Sequence, residues 1–133
     1  MRKNVLLIGR WVVDFLFCEE DYDIDGVIAC LYDAYAPDGI MKQAEDLMLS
    51  CRRNCGLTYS NSFRRRAVVL IGPTTSGAEF INTLSHELYH LSVAIADSLG
   101  VDLLGERPAY LIGETMREFA EVVCELGCEH CRR

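Results

Sequence analysis

Residues 76–100 read Ser76-Gly77-Ala78-Glu79-Phe80-Ile81-Asn82-Thr83-Leu84-Ser85-His86-Glu87-Leu88-Tyr89-His90-Leu91-Ser92-Val93-Ala94-Ile95-Ala96-Asp97-Ser98-Leu99-Gly100. Ser76 with Glu79 three residues on matches a capping box, in which the serine oxygen meets a free backbone N–H and the glutamate reaches back. Phe80, Leu84, Leu88, Leu91 and Ile95 then recur at helical spacing, and Gly100 is a natural stop. The stretch predicts one long helix. His86 and His90, four residues apart, fall on one face of it.

Outward from that helix, the remaining segments alternate. Residues 5–17 form an apolar run with Gly9 inside it, read as a strand bent at the glycine. Asp25 is placed to cap a helix through Val27, Ile28, Leu31 and Tyr32 that ends near Pro37. Asp38 is placed to cap a second one carrying Met41, Ala44, Leu47, Met48 and Cys51, closed by Gly56. Residues 57–61 and 66–72 read as strands, the latter stopped by Gly72-Pro73. A last helix is expected from about Pro108 to about Glu125. This order predicts an α+β fold, a small mixed sheet packed against helices with the histidine helix central, in a single domain over residues 1–133.

Bulk composition limits the function classes. Half of the 133 residues are hydrophobic, enough for a core without disulfides. A net charge of −7 argues against nucleic acid as a partner. The basic run Arg64-Arg65-Arg66 is short and reads as the solvated edge of a strand. No apolar stretch reaches the roughly 18–20 residues that a membrane span needs. Seven cysteines, an odd number without a secretory segment, fit a soluble, cytoplasmic and reduced chain.

The chemistry lies in His86-Glu87-Leu88-Tyr89-His90. Two imidazoles on one helix face can hold one Zn²⁺, and Glu87, one step round, reaches a water at the ion without ligating it. Two of the three histidines in the chain fall in this one motif. Zinc with an open position needs a third protein ligand. A metzincin would place a histidine at position 96, where this chain has Ala96. Asp97 lies about 10 Å further along the axis than His90. Glu106, after the turn at 100–105, is the better candidate, because an antiparallel return would bring it back toward the histidines. Glu114 is the reserve. A glutamate in a first turn also favours the helix dipole without any metal.

HELYH with a downstream glutamate resembles the gluzincin-like zinc metallopeptidases. Glu106-Arg107-Pro108-Ala109-Tyr110-Leu111 is similar to the Glu-x-x-Ala-Tyr-Leu segment that follows HExxH in small zincin-like proteins of phages and prophages. The resemblance covers residues 76–118, about a third of the chain. It implies a zincin-like fold with His86, His90 and Glu106 as zinc ligands and Glu87 as general base. The expected activity is hydrolysis of a peptide or protein substrate. The strand at 67–72 is expected to bind the peptide by its edge. Tyr110 is the candidate donor to the oxyanion, with Tyr89 a second choice that equally suits the core. The short interval between His90 and Glu106 leaves no room for a large substrate-binding subdomain. The alternative is a non-catalytic, zinc-stabilised domain that binds a partner on a mobile genetic element.

Cys128-Glu129-His130-Cys131 is a CxxC, and Cys51 with Cys55 is a looser pair; together they are candidates for a second zinc site, with reduced and partly buried thiols as the plain reading. Cys18, Cys30 and Cys124, in apolar surroundings, are expected in the core.

Overall fold

The computed structural model describes residues 1–132. Its elements run β1 (Arg2–Ile8), β2 (Trp11–Phe17), α1 (Ile24–Asp33), α2 (Asp38–Leu49), β3 (Gly56–Asn61), β4 (Arg66–Ile71), α3 (Gly77–Ser98), α4 (Glu106–Glu118) and α5 (Ala120–Gly127). The architecture is α+β, with one four-stranded mixed sheet in the order β1-β2-β4-β3. β1 pairs with β2 and β3 with β4 in antiparallel fashion, while β2 and β4 are parallel. The sheet order leaves β1 and β3 as its edges.

Side chains alternate across the sheet with period two, and both faces are covered. Val13, Phe15 and Phe17 of β2 and Ala67, Val69 and Ile71 of β4 face one core, completed by Phe80, Leu84, Leu88, Leu91 and Ile95 of α3 together with Leu111, Phe119 and Val122. Leu16, Val68 and Leu70 face the other way, onto Val27, Leu31, Ala44 and Met48 of α1 and α2. The five α3 residues spaced for burial in the sequence are therefore the ones that pack on the sheet. No helix among the described residues is long and apolar enough to cross a membrane.

Several local expectations are corrected. The apolar run over residues 5–17 is a hairpin, with Ile8 paired to Trp11. Gly9 turns it with φ of 59°, the left-handed conformation that a two-residue hairpin loop demands. The cap of α1 is Asp23, which accepts from Gly26 N at 3.0 Å; Asp25 lies inside the first turn. Asp38 is the first helical residue of α2, after Pro37, and makes no capping bond. The single last helix is two, because Phe119 leaves helical geometry at φ −99° and ψ 19°. Its ring is buried 4.6 Å from that of Phe15 and 5.4 Å from that of Phe17, so packing bends the chain where local propensity would continue it. Of the basic run, Arg64 stacks 4.1 Å over the Tyr35 ring and Arg66 lies 3.6 Å from the buried Asp14.

Candidate metal centre

The start of α3 is fixed twice. Ser76 Oγ accepts from Glu79 N at 3.1 Å, the forward half of the capping box. The Glu129 carboxyl accepts from Gly77 N, the first helical amide. At the other end Gly100, with φ of 66°, donates its N–H to Asp97 O. His86, Glu87 and His90 sit mid-helix between these anchors.

One turn apart, the two imidazoles converge. His86 Nε2 and His90 Nε2 are 3.1 Å apart, and the ring centroids are 4.7 Å apart at 74°. The contact is one hydrogen bond, with one ring donating and the other accepting. Two nitrogens held at about 2.0–2.1 Å by one tetrahedral zinc are themselves ~3.3 Å apart. The pair therefore fits a chelated ion with a shift of a few tenths of an ångström. Both rings are exposed.

Glu87 reaches toward the sheet and is 5 % exposed. Thr58 Oγ1 of β3 donates to Glu87 Oε2 at 2.6 Å and lies 3.3 Å from the Glu87 carbonyl. Leu57 and Tyr59 pack on the α1–α2 core, so Gly56, Thr58 and Ser60 face α3. Gly56 has to be small: a Cβ there would run into Leu70 O and come within 2.9 Å of Glu87 Cγ. Together Gly56, Leu57, Thr58, Ser60, His86, Glu87 and His90 line one open cavity of about 400 Å³.

The other expected site residues lie elsewhere. Glu106 is exposed at the first residue of α4 and does not line this cavity. Tyr110 and Glu114 line a different cavity of about 610 Å³ with Leu6, Leu7 and Ile8 of β1, at the opposite edge of the sheet from β3. The return from α3 to α4 thus lands beside β1, where Leu111 buries, instead of beside the histidines. Among the described residues, no group of three or more His, Cys, Asp or Glu side chains is placed to hold a metal ion. Tyr89 is 59 % exposed, with its ring 6.1 Å from that of His90, so it is not a core residue.

β4 cannot offer an edge, since it is paired on both sides; the free edge beside the histidines belongs to β3. Thr58, Gly56 and Ser60 were not legible as site residues. The signal was faint: small side chains on alternate positions of one strand.

The cysteines regroup as well. Cys18 and Cys30 are buried as expected, but Cys124 is exposed. Cys55 Sγ lies 3.4 Å from Tyr22 Oη, and burial pushes the Tyr22 phenol well above its ordinary range. Cys131 pairs instead with Cys124, at 3.9 Å between sulfurs, so the two candidate pairs do not merge into one site.

No family model, no curated protein and no solved structure matches the chain.

Proposed function

We propose that the chain is a zinc-dependent hydrolase of the zincin type, acting on an extended peptide laid against β3. The observation that carries this reading is the convergence of His86 Nε2 and His90 Nε2 to 3.1 Å in a cavity that Glu87, held by Thr58, also lines. His86 and His90 are the proposed ligands in the cavity, and Glu106, at the start of α4, is the proposed third. Bound zinc supplies Lewis acidity and activates water. A closed structural site takes four side chains, and the pair of exposed histidines suits an open site better.

The chain's own groups have clear tasks in this reading. Thr58 engages Glu87 Oε2, so Oε1 is the oxygen left to take a proton from water and pass it to the leaving amine. β3, as an edge strand, presents unpaired backbone groups to which a peptide can add as a further strand. That addition would bring the scissile bond over the histidine face. The test is a peptide-cleavage assay on the zinc-loaded chain. Cleavage that disappears in Glu87→Gln while zinc stays bound supports the reading; cleavage that survives Glu87→Gln overturns it.

A further inference from the structure

Of the three successive arginines that lead into β4, the fold accounts for two: Arg64 lies over the Tyr35 ring and Arg66 beside Asp14. Arg65 has no such partner among the described residues. β2 and β4 are parallel, so the β1–β2 and β3–β4 turns emerge at the same end of the sheet. Between these two turns, the end of α3 and the start of α4 lies a cavity of about 540 Å³. Its floor belongs to the core, for Trp11, Ile95 and Leu111 line it and are buried. Leu99 and Phe63 extend the apolar wall outward, and Phe63 is 91 % exposed. Arg10, Arg65 and Arg107 also line the cavity, all three exposed, and no carboxyl does. None of these arginines is in an ion pair among the described residues. The chain carries 20 acidic residues against 13 basic ones, so the sign of the whole molecule is reversed at this cavity.

We propose that this cavity binds a small amphiphilic carboxylate, a fatty-acid-like molecule with an apolar tail and one anionic head. Charge complementarity selects that occupant. A neutral apolar molecule would leave three cations without a counter-charge, and a small polar anion would leave the apolar wall in water. The volume lies within the roughly 300–1,000 Å³ of small-molecule pockets, which combine apolar walls with a few polar groups that fix orientation. The tail would lie on Trp11, Ile95 and Leu111 and cover Phe63 and Leu99, removing exposed apolar surface from water. The head would meet the arginines, whose planar guanidinium groups stay charged and match a carboxylate with paired hydrogen bonds. This cavity shares no lining residue with the one that holds His86 and His90, so the proposal stands apart from the zinc reading.

The experiment titrates the full chain with decanoate and follows binding by calorimetry and by tryptophan fluorescence. Trp11 is the single tryptophan of the chain and lines the cavity, so the optical signal reports on this site. Decanoate is expected to bind saturably with a change in Trp11 emission. Decanol, which has the tail without the charge, is expected to bind at least about tenfold more weakly, the margin of a charge-assisted hydrogen bond. Acetate, which has the charge without the tail, is expected to leave the emission unchanged at the same concentrations. The combined variant Arg10→Gln, Arg65→Gln, Arg107→Gln changes exposed side chains only and is expected to hold decanoate no more tightly than the parent holds decanol. His86→Ala is expected to bind decanoate as the parent does. The proposal is overturned by the absence of saturable decanoate binding, by equal affinity for decanoate and decanol, or by full affinity in the triple variant. Loss of decanoate binding in His86→Ala also overturns it, since the ligand would then sit at the histidines.

Discussion

Thr58 donates from Oγ1 to Oε2 of Glu87 across 2.6 Å, and this one bond joins the free edge of the sheet to the histidine helix. Glu87 is 5 % exposed, so its carboxyl has little water to replace a lost partner.

Thr58→Val keeps the shape of the side chain and removes the donor. The expected loss is about 1–3 kcal/mol, the range for leaving a buried polar group unsatisfied. Urea denaturation measures it, and Thr58→Ser should recover most of the loss.

Gly56→Ala tests the space around the same carboxyl. The new Cβ would meet Leu70 O, a backbone atom that cannot step aside, and lie 2.9 Å from Glu87 Cγ. A destabilisation of about 1–3 kcal/mol is expected from overpacking. Leu57→Ala, a change to a side chain packed on the α1–α2 core, serves as a comparison without a clash at Glu87.

Zinc added at about 100 times its dissociation constant should raise unfolding stability by about 2.7 kcal/mol. His86→Ala and His90→Ala should each abolish that rise, read by thermal melts with and without zinc. Glu106→Ala separates the ligand sets: loss of zinc binding makes it the third ligand, and unchanged binding removes it from the site.

Phe119→Ala should cost about 3–5 kcal/mol, because a buried ring against Phe15 and Phe17 leaves a cavity. The same ring ends α4 and begins α5, so the variant should also loosen the angle between those helices. Equilibrium unfolding measures the first effect and amide exchange across residues 115–123 the second.

The helix carrying His86 and His90 was legible because every local signal agreed: the Ser76 cap, the apolar spacing from Phe80 to Ile95 and the stop at Gly100. The α+β class followed from the order of segments. What escaped the sequence was set by tertiary packing. Ile8 and Trp11 sit in one apolar run, and only the conformation of Gly9 turns them into partners. Phe119 looks like one more helical residue until the sheet supplies Phe15 and Phe17. An antiparallel return from α3 would bring Glu106 back toward the histidines. The burial of Leu111 in the sheet–helix core draws α4 toward β1 instead. Thr58 carries no motif at all, and its role depends on which strand the fold puts at the edge.

Gly77 begins α3, and the carboxyl that closes its first amide comes from Glu129, 52 residues later. Arg132 fastens Thr74 across a still longer interval of 58 residues. On a ribosome, then, the helix that bears the histidines emerges long before the groups that secure its beginning. Until Glu129 has been made, the local Ser76 cap alone secures that first turn. The Gly77 amide thus gains its partner only after a further 52 residues have been made.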